Sequence, residues 1–329
     1  MQAIDESTDR DTSRAPITGR RRESLLEFVP LLGLIVVIAV FAIVTKGTSV
    51  SPFNLKLLLN QGVILAVIAT GSSFIFSMGN FDISLGACTC LAALVGALVQ
   101  NATGNVAVAL VAGLCAGIGI SLIAGFCIAY FRLPSFIVTL AMLMIITAGV
   151  SLIIGATSGV YLENDLKRFD TVAVKLIVLV VVVGLATVMF RFHRLGRSNK
   201  IIGGSQTVAV YSGISILRNT LLSFLISGIG IGLGAFLLLA RTGCVSASTG
   251  TSLGFDIIIA IVLGGMPISG GAKSRISAAI IGAFTITALN SGLSLIGASP
   301  GVLQMVRGLL FLVVVTLLVL GHRERLLVR

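Results

Sequence analysis

The chain has 329 residues, of which 56% are apolar and only 11% charged, and its net charge is +11. Soluble domains carry roughly 25% charged residues, so this chain lacks the polar surface of a soluble protein, and its hydrophobicity excludes a disordered tail protein. Five cysteines in so long a chain exclude a secreted disulfide scaffold. The class left is an all-α polytopic membrane protein.

Residues 1–27 read as a disordered cytoplasmic tail that carries Arg10, Arg14, Arg20, Arg21 and Arg22. A helix needs ~20 apolar residues to cross ~30 Å of hydrocarbon. Runs of about that length predict ten spans within residues 28–320: Phe28–Val44, Leu57–Ser77, Leu85–Gln100, Val106–Phe131, Ser135–Gly155, Val172–Phe190, Thr220–Ala240, Gly254–Gly271, Ile276–Ile296 and Val302–Leu320. Residues 191–218 form a basic loop between the sixth and seventh spans, and residues 321–329 a short basic cytoplasmic tail. Basic residues crowd into the termini and this loop, and acidic Glu163, Asp165 and Asp170 fall on the opposite side. The positive-inside bias therefore predicts N-in, C-in. The arginines have no stacking aromatics beside them, so nucleic acid is not an expected partner; membrane lipid is.

Many of the 38 glycines lie inside spans, among them Gly113, Gly117, Gly228, Gly230, Gly232 and Gly234. Small residues let helix backbones approach where lipid supplies no hydrophobic drive between helices. Cys88, Cys90, Cys115, Cys127 and Cys244 lack metal-ligand spacing and read as small buried apolar residues. No metal site and no catalytic residue is expected. His193 and His322 sit among arginines, away from any carboxylate pair.

Two polar breaks interrupt the apolar pattern, near residues 77–86 and 264–275. The first, Ser77-Met78-Gly79-Asn80-Phe81-Asp82-Ile83-Ser84-Leu85-Gly86, holds a carboxylate. A carboxylate near a span faces a cavity or a partner, or else it caps the helix that follows; both readings stay open. The second, Gly264-Gly265-Met266-Pro267-Ile268-Ser269-Gly270-Gly271, cannot continue a helix. Interrupted segments in corresponding halves point to a transport site. Gly270-Gly271-Ala272-Lys273-Ser274 imitates half of a phosphate loop, but no glycine immediately precedes the lysine. The chain is therefore expected to bind no nucleotide and to hydrolyse no ATP itself.

In the central loop, Ser205 can cap a short helix, Val208 and Tyr211 share one face, and Gly213 can close it in the left-handed conformation. Such a helix suits docking to a soluble partner, whose tight groove would accept only a small residue at Ala209. A helix lying on lipid is the alternative.

These stretches resemble the permease subunits of bacterial ABC importers of the ribose/xylose/galactose type, and the resemblance covers roughly residues 28–320. Three motifs carry it: Met78-Gly79-Asn80-Phe81-Asp82-Ile83-Ser84; Gly203-Gly204-Ser205-Gln206-Thr207-Val208-Ala209-Val210-Tyr211-Ser212-Gly213-Ile214; and Gly264-Gly265, Gly270-Gly271, Gly282-Ala283 with Asn290-Ser291-Gly292-Leu293. Asn80 and Phe81 replace the usual Gly and Ile, Ser205 a common Asn, Val208 the first Ala, and Lys273-Ser274 follows Gly271 where a glycine is expected.

The resemblance implies a multi-pass inner-membrane subunit that pairs with itself or a sister permease. ATPase subunits, which use ATP and Mg, would dock at Gly204, Ser205, Gln206, Val208, Ala209, Tyr211, Ser212 and Gly213. A periplasmic or extracellular sugar-binding protein would dock on the other face. Gly264, Gly265, Gly270 and Gly271 would form the broken helix, and Asn80, Phe81, Asp82, Ser84 and Asn290 would lie on the substrate path. A branched-chain amino-acid ABC permease and an ion-coupled secondary transporter are the alternatives. Asp82 and Asp256 are the only acidic residues near span interiors, which suits ion coupling poorly.

Overall fold

In hydrocarbon every backbone amide must find its partner within its own segment, and each apolar run accordingly folds as a helix. The computed structural model describes residues 18–163 and 166–326. In chain order its helices are α1 (Thr18–Val44), α2 (Pro52–Ser77), α3 (Leu85–Thr103), α4 (Val106–Phe131), α5 (Ser135–Ile154), α6 (Val172–Arg191), α7 (Arg194–Gly204), α8 (Gln206–Tyr211), α9 (Ile216–Thr242), α10 (Thr249–Leu263), α11 (Ile276–Leu295) and α12 (Pro300–Leu326). Seven of them, α2–α6, α9 and α11, are long and apolar enough to cross a membrane. The apolar parts of α1, α10 and α12 (Phe28–Val44, Leu253–Leu263 and Pro300–Thr316) are shorter.

Local chemistry sets the boundaries. Ser51 caps α2 with Pro52 in the first turn, Asn105 caps α4 by accepting from the Ala107 amide at 2.9 Å, and Thr171 caps α6; each satisfies an amide that the first turn leaves unpaired. The expected span Gly254–Gly271 is corrected at both ends. Its helix starts at Thr249 and stops at Leu263, because Gly265, Gly270 and Gly271 adopt positive φ of 91°, 70° and 93° that no helix continues. Helical backbone also extends into both basic tails, from Thr18 and as far as Leu326. Arg, Glu and Leu at those positions are good helix formers and prolong the apolar helices. Residues 1–17 and 327–329 lie outside the described residues.

The buried centre is formed by α2, α3, α9, α10 and α11, with Val63–Ala69, Leu94, Ile231, Ile257, Ile261 and Ile286 all closed off. Outside it, α4, α5 and α6 expose Ile123, Leu152 and Val180, an arrangement suited to lipid. Cys88 and Cys90 are buried as expected, but Cys115 is exposed on α4.

Two short strands, β1 (Val160–Tyr161) and β2 (Cys244–Val245), pair antiparallel at the end of the bundle away from α7 and α8. Asn101 at the end of α3 clamps β1, donating to the Tyr161 carbonyl at 2.8 Å and accepting from the Glu163 amide at 3.1 Å. Beside them the fully buried Lys175 ammonium pairs with Asp170 and donates to Asn60 at 3.2 Å, which ties α6 to α2. Asp165 lies outside the described residues.

The glycines of α9 divide between two neighbours. Gly228 and Gly232 meet Gly117 and Leu114 of α4, while Gly230 and Gly234 meet Gly71 and Ile68 of α2. A methyl on Gly117 would stand 2.9 Å from the Gly228 carbonyl oxygen and 3.0 Å from the Gly232 nitrogen, whereas Gly119 has nothing within 4 Å. Gly117→Val should therefore destabilise the purified protein by ~1–3 kcal/mol, read as a lower Tm in detergent. Gly119→Val, on the same helix, should leave Tm unchanged.

Candidate coupling site and intramembrane polar ring

On α7, Leu195, Asn199 and Ile202 recur at helical spacing and form its buried face, with Gly196 beside them. The Asn199 amide donates to the Phe74 carbonyl of α2 at 3.2 Å and to Ser223 Oγ of α9 at 2.8 Å. One buried side chain thus binds α7 to the ends of two membrane helices. Lys200 lies 4.7 Å from the centre of the Phe190 ring. Burial, and then the neighbouring Arg275, lower its ammonium below the usual range.

At the end of α7 three of the sequence motifs converge. The Gly271 amide donates to the Ser77 carbonyl at 3.0 Å. A methyl on Gly203 would stand 2.3 Å from that same carbonyl oxygen and 2.5 Å from the Gly271 nitrogen. Gly270 is just as close to Ser77 and Gly79. The end of α2, the end of α7 and the α10–α11 connection therefore share one junction of backbone against backbone.

From this junction α8 projects. Ser205 caps it by accepting from the Val208 amide at 3.4 Å. At its other end the Gly213 amide donates to Val210 and the Ile214 amide to Ala209, both at 3.0 Å, with Gly213 at φ +73°. This is the paired 5→2 and 6→1 closure of a Schellman motif. Val208, Val210 and Tyr211 are exposed, Tyr211 at 88%, together with Gln206 and Ser212. Ala209 corrects the expectation from sequence. It is fully buried against Met78, Ile202 and Ile214 of its own chain, so what excludes bulk there is the seat of the helix and not a partner's groove.

The residues expected on a substrate path divide between two networks. Asn80 and Phe81 are half-buried in the α2–α3 connection, where the Phe81 amide donates to Ser135 Oγ of α5 at 3.0 Å and its ring lies 5.0 Å from Phe76. Asp82 is buried, and its Oδ1 accepts from the Ser84 amide at 2.9 Å and the Ser84 hydroxyl at 2.6 Å. Both bonds go to Ser84, two residues on, which makes an Asx turn just ahead of α3 and reaches none of that helix's first-turn amides. Burial pushes the Asp82 carboxyl up to about 6, against those two hydrogen bonds, which lower it.

Asn290 belongs elsewhere. On α11 it donates to Asp256 Oδ2 of α10 at 3.2 Å and accepts from Arg307 Nε of α12 at 2.8 Å. Arg307 Nη1 also lies 3.2 Å from Asp256 Oδ1, so the three side chains close a ring. Sequence reasoning missed Arg307, Asn199 and Lys175. A lone arginine inside the run Val302–Leu320 was the available signal for the first; nothing in the local pattern distinguishes Asn199. Among the described residues no three His, Cys, Asp or Glu gather as metal ligands.

A family profile described as the permease component of the branched-chain amino-acid transport system matches residues 54–315. Among curated proteins, the ribose import permease of Bacillus subtilis is 31% identical over 297 residues, which cover 88% of this chain and 91% of that protein. The fructose import permease of Rhizobium meliloti is 26% identical, covering 88% and 84%. The D-allose transport permease of Escherichia coli is 27% identical, covering 86% and 89%. No solved structure matches the chain.

The Asp82–Ser84 pair can be isolated by a double-mutant cycle on thermal stability. Asp82→Ala should cost ~1–3 kcal/mol, because the buried Ser84 amide and hydroxyl lose their acceptor. Adding Ser84→Ala should cost less than the sum of the two single changes, because both remove the same hydrogen bond.

Proposed function

The chain belongs to the family of branched-chain amino-acid transport-system permease components, and on that premise we propose that it imports a sugar or sugar-like polyol as the membrane-spanning subunit of an ATP-driven importer. Seven helices able to cross a membrane make it a multi-pass protein of the bacterial inner membrane. The sugar class rests on the relatives, which are named for ribose, fructose and allose. Transport of a branched-chain amino acid is the second reading, favoured by the description of the family itself.

The observation that carries energy coupling is the exposed apolar face of α8 on a rigid seat. Val208, Val210 and Tyr211 stand outside, while Ala209 and the Schellman closure hold the helix against Met78 and Ile202. A six-residue helix is marginal by itself, so its shape depends on that seat. A partner ATPase, using ATP and Mg, would grip Val208 and Tyr211. The push would pass through Gly203, Ser77 and Gly271 into α2 and α11, because backbones in contact leave no soft side chain to absorb it. This chain's residues would supply the docking face and the solute path, and no nucleotide site. In this reading both termini and α8 face the cytoplasm. A periplasmic or extracellular binding protein meets the β1–β2 end, and a second permease subunit, identical or sister, completes the path.

Tyr211→Asp should leave Tm within error, because its side chain is exposed, yet sharply reduce co-purification of the ATPase and ATP-driven sugar uptake in proteoliposomes. Ala209→Glu should lower Tm as well. An ATPase that stays bound to Tyr211→Asp would mean that α8 lies on lipid. Uptake driven by a proton or sodium gradient without ATP would point to the secondary transporter.

A further inference from the structure

A charge inside the apolar part of a membrane bundle has a partner or lines a path. The ring of Asp256, Asn290 and Arg307 is such a place, and the coupling site makes no use of it. At 1.5 Å per residue, Asn290 lies about 21 Å along α11 from its first residue, and Arg307 about 10 Å into α12. The ring is therefore distant from the coupling end. Phe255, Met305 and Leu309 around it are exposed and apolar. The charged side chains themselves are nearly but not wholly closed off, 12% exposed for Arg307 and 13% for Asp256.

A brace is a poor explanation for this arrangement. Apolar side chains of similar volume hold helices together as well as a buried ion pair does. The ring also leaves bonding capacity over. An ionised carboxylate offers about four acceptor positions and a guanidinium five donors. Here Asp256 accepts from Asn290 at one oxygen and faces Arg307 at the other, where Oδ1 forms a charge contact without an aligned hydrogen bond. A ligand that both donates and accepts at neighbouring atoms would complete the set, and adjacent hydroxyls do so.

We propose that Asp256, Asn290 and Arg307 form a solute-binding station on the translocation path and take neighbouring hydroxyls of a sugar or polyol. Asp256 and the Asn290 carbonyl accept from the hydroxyls; Arg307 and the Asn290 amide donate to them. The proposal rests on the permease reading above and extends it to two residues, Asp256 and Arg307, that the family motifs do not include.

The test uses the full chain, with its ATPase, in proteoliposomes. In a background whose five cysteines are alanine, Ser294→Cys, exposed one turn along α11 from Asn290, should react with a membrane-impermeant charged methanethiosulfonate. D-ribose, D-fructose, D-allose and L-arabinose are the probes, with L-leucine as the contrast. Any sugar that the wild type imports should slow labelling roughly tenfold at a near-saturating concentration. Asp256→Asn and Arg307→Gln should each lower uptake roughly ten- to hundredfold, the effect of one lost charged hydrogen bond. The exchanged pair Asp256→Arg with Arg307→Asp should recover Tm but not uptake.

Full uptake by the exchanged pair makes the ring a brace and overturns the proposal. So does a cysteine that never reacts, in the resting or the ATP-trapped transporter, and so does protection by L-leucine alone. If the wild type imports none of the four sugars, the sugar reading fails separately. The labelling arm still decides whether the ring lines an aqueous path.

Discussion

One backbone hydrogen bond organises the end of the molecule that carries α7 and α8: the Gly271 amide on the Ser77 carbonyl, with Gly203 packed against both. Its geometry demands glycine on two of the three strands of chain that meet. Gly271 has φ +93°, and Gly203 lies where any side chain would strike a carbonyl. Three motifs more than 60 residues apart in sequence are thereby one structural feature. Movement imposed on α7 reaches α2 and the α10–α11 connection without passing through a flexible side chain. The burial of Asn199 between Phe74 and Ser223 prevents α7 from sliding away from this contact.

The same principle of close backbone approach runs through the bundle. Lipid tails are as apolar as leucine, so helices associate by packing and by interhelical polar contacts. In α9 glycines at alternating positions serve two neighbours at once, Gly228 and Gly232 toward α4, Gly230 and Gly234 toward α2. That helix is fixed between two surfaces, and its second turn carries Ser223, which accepts from Asn199 of α7. The α7 junction and the closely packed centre are therefore joined along α9.

Most of the fold was legible in the sequence because hydropathy and chain punctuation act locally. The apolar runs became helices, Ser205 and Gly213 bounded α8, and the glycine-rich run in α9 became a packing face. What was not legible depended on three-dimensional neighbours. Ala209 faces inward because Met78 and Ile202 arrive from other segments, and no pattern within α8 announces them. Asp82 offered two readings of equal weight, and its hydrogen bonds to Ser84 form an Asx turn that is buried and caps no helix. The α10 boundary was misjudged because apolar residues continue through a glycine cluster whose positive φ values stop the helix.

The polar side chains of the bundle fall into two kinds, and the difference bears on function. Ser73, Thr89, Thr285 and Thr287 return their hydroxyls to a carbonyl four residues earlier on the same helix. Such groups are satisfied locally and need no partner helix. Asn199, Lys175 and Asp256 cannot be satisfied in that way, since each bonds to other elements of the bundle. Asn199 lies where α7 meets the bundle and Lys175 beside the β1–β2 end, and both have plain structural work in fixing a connection. Asp256, with Asn290, meets Arg307 of α12. It sits within α10, and α11 already packs against that helix through Gly264 and Gly282, where a methyl would stand 1.7 Å from a carbonyl oxygen. With α10 and α11 held together by that contact, the Asp256–Arg307 pair is left to place α12, which apolar side chains of similar volume could do without its desolvation cost. The balance points to a role in passing polar solute through an apolar wall.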